Sequence, residues 1–217
     1  MADKTVIEYN ADQQEEILDF INENFGEGKH GMICHELNSD YVHTDVQVID
    51  KDNQTILATF GMGARKMRIP VPQLKELQRA ELVMFATADL NKEAGLAGMG
   101  RSMKAAAELQ KISKYPFAND VWIGPGHTIN ASDGFAAEFG YDFFFFLNAA
   151  DKPANVRGMS PVTFLQLIPI YKEERDWMAS HPGTNAEQRF LDEYLDWAEE
   201  HDRWAEIDVP REVIIPN

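Results

Sequence analysis

The sequence predicts an α+β fold, one domain with a mixed or antiparallel sheet flanked by helices, and three observations predict it. Residues 42–49 alternate, with Val42, Thr44, Val46 and Val48 on one side and His43, Asp45 and Gln47 on the other, the period of a half-buried strand. Residues 11–25 instead place Ile17, Leu18, Ile21 and Phe25 on one helical stripe. Residues 162–170 are almost continuously apolar, broken only by Thr163 and Gln166, as in a strand covered on both faces. Strands and helices are mixed along the chain with hairpins early, so one domain is expected over residues 1–217, with a core at about 10–180 and an acidic C-terminal helix at 184–205.

Asn10 is placed to cap the first helix, with Gln13 at the third helical position, and Gly26 and Gly28 end it. A short strand at 32–37 follows. Residues 42–49 and 55–62 then form a hairpin around the turn Asp50-Lys51-Asp52-Asn53. Residues 79–87 alternate again as a strand. A helix is expected at 101–114 with Met103, Ala106, Leu109 and Ile112 inward, stopped by Tyr115-Pro116. Residues 121–123 read as a short strand before Gly124-Pro125-Gly126-His127, and residues 142–148, with four consecutive phenylalanines, as a core strand. Pro169 has no N–H for a ladder and belongs at an edge, a bulge or a strand end. Beyond it Lys172, Glu173, Glu174, Arg175 and Asp176 open an amphipathic helix, with acids in the first turn where the helix dipole favours them. Thr184 with Glu187 forms a capping box for the last helix, whose outer side is strongly acidic.

The net charge is −16, and it is uneven. Residues 1–55 carry thirteen acids against three Lys/Arg, residues 56–150 nine against ten, and residues 151–217 fourteen against seven. Nucleic acid is a poor partner for such a surface, because phosphate binding needs clustered cations; a basic protein suits it. No run approaches the ~18 apolar residues of a membrane span, and no secretory h-region is visible. A single cysteine, Cys34, fits a cytoplasmic location.

Candidate chemistry is sparse. Gly95-Leu96-Ala97-Gly98-Met99-Gly100-Arg101-Ser102 follows the phosphate-loop pattern, but with arginine in the lysine position and about seven residues between it and its strand. Nucleotide binding there is the weakest of the readings. Cys34 and His35 are adjacent on a strand, point to opposite faces and so cannot pair. His43 and Asp45 share a face and could hold a metal with His35 or His30, yet no zinc spacing occurs and a polar hairpin face is the simpler reading. His127 stands in a tight loop at a strand end, five residues after Trp122, where it either ties down its own loop or serves a hydrolase together with a carboxylate. Glu173 and Glu174 read as a solvated first turn rather than a catalytic pair. No Gly-x-Ser-x-Gly elbow, His-Glu-x-x-His helix or Cys-x-x-Cys pair is present, and no metal or cofactor is implied.

Phe164-Leu165-Gln166-Leu167-Ile168-Pro169-Ile170-Tyr171-Lys172-Glu173-Glu174 resembles the C-terminal signature of the suppressor of fused family, and Trp122-Ile123-Gly124-Pro125-Gly126-His127-Thr128 resembles that family's Trp…Gly-His-Thr loop. The resemblance covers about residues 10–180. It implies an α/β domain without enzymatic activity. Animal members grip a short peptide of a transcription factor as an added strand between two domains, and the resemblance covers only the first of these. Stand-alone bacterial members are similar to immunity proteins that neutralise a toxin, and an acidic surface facing a basic, nuclease-type toxin fits that role. Within these two stretches the polar and aromatic residues Trp122, His127, Gln166, Tyr171, Glu173 and Glu174 are the expected partner contacts, and no catalytic residue is expected.

Overall fold

The computed structural model describes residues 5–27, 31–88, 90, 96–183, 185–203 and 205–216. Helix α1 spans Ala11–Phe25. The Asn10 side chain accepts from the Gln13 N–H at 3.0 Å, and the Gln13 side chain accepts from the Asn10 N–H at 3.1 Å, the reciprocal cap expected from the sequence. Ile17, Ile21 and Phe25 form its buried stripe, and Gly26 leaves it at φ +86°.

Among the described residues, seven strands form one sheet. They are β1 (Gly31–Cys34), β2 (Asp45–Asp50), β3 (Gln54–Phe60), β4 (Ala80–Thr87), β5 (Thr128–Asn130), β6 (Phe143–Asn148) and β7 (Thr163–Ile170), in the order β1-β2-β3-β4-β7-β6-β5. Only β4 and β7 pair in parallel, so the sheet is mixed. Alternation along β7 decides the layers. Leu165 and Leu167 join the core under α2 (Leu96–Asn119) and α3 (Asp133–Phe139). Phe164 stacks on Phe20 of α1 at 4.8 Å, while Ile168 and Ile170 pack under α4 (Lys172–Ser180) and α5 (Ala186–Glu200). Both faces are covered, as the continuous apolar run requires.

Pro169 pairs with Phe144 of β6 and lies beyond the last β4 pair, Val83 with Gln166. Its carbonyl accepts from Arg211 at 3.1 Å. The N–H and C=O of one strand residue point to the same side, so the missing N–H also faces away from the β6 ladder and costs it nothing.

Several sequence expectations are corrected. Helix α2 does not stop at Tyr115; it runs through Pro116 to Asn119, because Pro116 and Phe117 are buried and their packing outweighs the lost helical bond. Its inward stripe is Ala105, Ala106, Leu109 and Ile112, and Met103 is 57% exposed instead. Residues 121–123 are not a strand, while β5 and α3 were not anticipated. Thr184 lies outside the described residues; Asn185, at φ +53°, precedes α5 and makes no side-chain cap bond. The packed core also continues past residue 180. Ala205, Ile207 and Ile214 are buried, and the Ile207 N–H donates to the Phe85 carbonyl at 2.8 Å. No helix among the described residues is long and apolar enough to cross a membrane.

Candidate functional site

The junction of β7 and α4 is a closed structural lock. Glu174 is 0% exposed. Its carboxylate accepts from the Tyr171 N–H, the Ile214 N–H and Arg211 Nη2, each at 2.8 Å, and also from Arg211 Nη1. The guanidinium lies 5.2–5.9 Å from the ring centres of Tyr141, Tyr171, Tyr194 and Trp197. The Tyr171 hydroxyl donates to the Arg211 carbonyl at 2.7 Å. Glu174 is therefore not a solvated first-turn acid, and as a partner contact it is corrected: all its lone pairs are taken up inside the protein. Gln166 is corrected likewise, since it is buried between Phe164 and Ile168 on the inner face of β7. Tyr171 is half-buried and committed to the same lock. Only Glu173 of this group is exposed. The missing signal was Arg211, 37 residues downstream of Glu174.

The His127 loop is held from within. Its N–H donates to the Gly124 carbonyl at 3.1 Å and its carbonyl accepts from the Phe146 N–H at 3.0 Å. The imidazole lies against Trp122, ring centres 4.3 Å apart. Burial pushes the His127 ring below the ordinary histidine range, partly offset by a bond with the Trp122 backbone. Among the described residues no carboxylate bonds to this ring, and the backbone bonds of His127 tie down its own loop.

The glycine-rich stretch is not a phosphate loop. Residues 91–95 lie outside the described set, but helix α2 already begins at Leu96. Ser102 is fully buried, and Arg101 stacks over Phe139 at 5.1 Å with its Nε 3.1 Å from Glu138. Asp45, expected on a solvated face, is buried instead. It binds His35 at 2.9 Å and His43 at 3.1 Å, and His43 reaches Ser39 at 2.7 Å. Among the described residues no three-residue metal cluster forms, and His30 falls outside them.

A second carboxylate with no solvent exposure at all, Glu81, carries no signal in the local sequence. Glu81 on β4 is 0% exposed and accepts from Thr59 Oγ1 at 2.6 Å and from the N–H groups of Gly61 and Gly63 and the Tyr9 hydroxyl at 2.9 Å each. Burial raises its pKa despite these donors. The same site raises the Tyr9 hydroxyl far above its usual range, through burial first and the Glu81 charge second. Gly61, at φ +136°, has no room for a Cβ beside the His43 carbonyl, which is why the loop can turn its N–H groups onto Glu81.

Exposed acids concentrate on one side of the sheet. Helices α1, α4 and α5 share one side of the sheet. Asp12, Glu15, Asp19 and Glu23 of α1, Glu173 of α4, and Glu187, Asp192, Glu193, Asp196, Glu199 and Glu200 of α5 are all exposed there. The α2 side is different. Its outer ridge carries Met103, Ala107, Lys111 and Tyr115 at four-residue spacing, all exposed, and borders a groove of about 970 Å³ against the edge strand β1.

Comparison with known proteins follows from this geometry. Residues 40–212 match the family model described as Suppressor of fused protein (SUFU). The solved structure of a suppressor of fused homologue from Neisseria gonorrhoeae superposes with a TM-score of 0.61 at 14% identity, covering 96% of this chain and 100% of that one. A chain from a Sufu–Fu complex superposes with a TM-score of 0.59 at 12% identity, covering 94% and 100%. At these identities the likeness is one of fold. No match is found among curated proteins.

Proposed function

This chain belongs to the suppressor of fused family, and from that premise we propose that it is a non-enzymatic protein-binding module of the immunity type, which holds a basic partner such as a nuclease-type toxin. The observation that carries this reading is the acidic face. Eleven exposed carboxylates stand on α1, α4 and α5, with Lys172 as the exposed base among those three helices. Such a surface accelerates encounter with a cationic protein and rejects anionic ones. That the second chain above comes from a Sufu–Fu complex agrees with a binding role. Glu173 is the nominated contact that lies on this face. Trp122 and His127 shape the loop that leads into β5 and are proposed as contacts there.

The test is stoichiometric. Tagged protein purified from its native host at low salt is expected to retain a basic protein in a fixed molar ratio, and co-expression is expected to relieve that protein's toxicity. Replacing Asp192, Asp196 and Glu199 together by lysine should slow association about tenfold and flatten its salt dependence. Retention of no partner, or association indifferent to both salt and the triple substitution, refutes the reading.

A further inference from the structure

The α2 side of the molecule offers a surface of different character. One wall of its groove is the exposed α2 ridge, and the other is β1 with the loop that follows it. Large apolar side chains stand exposed on both walls: Leu37 at 92%, Met103 at 57%, Tyr115 at 44% and Ile33 at 43%. Such a strip on a chain of net charge −16 marks a surface that another molecule covers.

The polar groups between the walls are already engaged. Gln110 Nε2 donates to the Cys34 carbonyl at 3.1 Å, and Lys114 Nζ donates to the Asn38 carbonyl at 3.2 Å and pairs with Glu36. Glu36 also accepts from Ser39 Oγ at 2.8 Å and the Thr44 N–H at 3.0 Å. An occupant therefore meets side-chain surface, which suits a helix, since a helix pairs its own N–H and C=O groups. Charge selects whose helix. From Met103 to Asn119 no exposed residue of α2 is an acid, whereas eleven exposed carboxylates stand on α1, α4 and α5 across the sheet. Two copies of the chain repel each other through any acid-bearing surface. With their α2 sides together, the acidic faces point outward, two sheets and two helix layers apart and far beyond the Debye length of about 8 Å. Lys111 then lies in the negative field of the other copy.

We propose that a second copy of this chain covers the groove, in a two-fold dimer whose α2 helices cross antiparallel at Ala107 and Lys111. The ridge is complementary to itself in that orientation. Met103 of one copy meets Tyr115 of the other, and Lys111 of one passes over Ala107 of the other, so a long side chain faces a small one at the crossing and apolar side chains face each other at its ends. Ridges of four-residue spacing interdigitate at about −50°, the commonest helix crossing in globular proteins. The helices diverge on either side of that point, and Leu37 on the facing wall fills the space so opened. The seam is about 24 Å long and one helix, about 10 Å, wide. That falls short of the roughly 800 Å² per partner of a standard interface, so the dimer is weak and concentration-dependent. The acidic face stays open in it, and the proposal stands or falls independently of the basic-partner reading.

Sedimentation equilibrium of the full chain, from about 1 μM to about 1 mM, reads the association. A reversible dimer with a Kd of about 10–100 μM is expected at about 0.15 M salt. It should tighten about threefold at about 0.5 M salt, as repulsion between the acids is screened, the opposite of the salt response expected for a basic partner. Ala107→Glu and Lys111→Glu, both at exposed positions and checked for an unchanged circular dichroism spectrum, should each weaken the dimer about tenfold or more by placing like charges at the crossing. Disulfide formation reads the register. Cys34 is the chain's single cysteine, so on a Cys34→Ser background an Ala107→Cys protein mixed with a tagged Lys111→Cys protein should cross-link to it about fivefold faster than either does to itself. A chain that remains monomeric at about 1 mM at both salt concentrations overturns the proposal. So does a dimer that neither glutamate substitution weakens, which would place the contact elsewhere, and so does cross-linking without preference for the mixed pair, which would rule out the antiparallel crossing.

Discussion

Removing the Arg211 side chain is the sharpest test of the β7–α4 lock. The guanidinium is 3% exposed and meets a fully buried carboxylate, so Arg211→Met keeps much of the volume but leaves the Glu174 charge enclosed with only two backbone donors, Tyr171 and Ile214. Breaking a buried pair from one side typically costs about 3–5 kcal/mol, because the remaining charge is neither paired nor hydrated. For a chain of this size that corresponds to a fall in Tm of about 6–20 °C. The loss should not persist in the double variant: replacing Glu174 by leucine in the Arg211→Met background removes the orphan charge, and most of the stability should return. Urea unfolding of the wild type, both single variants and the double variant measures each arm. A loss below about 1 kcal/mol for Arg211→Met would mean that Glu174 reaches water once its partner is gone, and the claim that the 205–216 segment seals this junction would be refuted.

Other predictions concern the second carboxylate and the two loops. Glu81→Ala should be the most damaging single change at its site, since it orphans four donors at about 1–3 kcal/mol each; recovery of a stable folded variant would contradict the assigned network. The folded pKa of Glu81 is raised, so its contribution is fully present below the ordinary glutamate value and is lost as pH rises through the folded value. Glu81→Gln, which stays neutral, should therefore gain stability relative to wild type across that window in pH-resolved urea melts. Gly61→Ala should cost more than about 2 kcal/mol, from the positive φ and the crowding at His43 together, whereas Gly158→Ala, with open space around its Cβ, should show the φ cost alone. His127 has the opposite sign from Glu81: its folded pKa is lowered, so its contribution holds above the ordinary value of about 6.5 and fades as pH falls below it. An NMR titration midpoint at or above that value would show the ring to be more open than the Trp122 contact indicates.

Local patterns in the sequence carry a good part of the fold. The reciprocal cap of Asn10 and Gln13, the β2–β3 hairpin and the doubly covered β7 all rest on interactions within a few residues or on a simple period, and the structure repeats them. The failures share a cause as well. Pro116 reads as a stop because local propensity opposes a proline inside a helix; packing of Phe117 overrides it. The tripeptide of β5 is too short to show a period and exists because it pairs with β6. Glu81 and Glu173 are alike as letters, yet one is sealed under a loop and the other is in water.

By itself, then, the sequence determined the class of the fold, the helix and strand periods, the absence of familiar catalytic signatures and the excess of acids at both ends of the chain. Residue type and short-range spacing suffice for these, because each depends on neighbours along the chain. Tertiary structure alone decided which side chains face which layer. It placed the exposed acids of α1, α4 and α5 on one side of the sheet and left an apolar groove bordered by Lys111 on the other. It also turned Gln166, Tyr171 and Glu174 from candidate contacts into parts of a lock and its scaffold. Those assignments depend on groups tens of residues apart, Arg211 against Glu174 and Tyr9 against Glu81, whose meeting is set by the sheet order and leaves no mark in the local sequence.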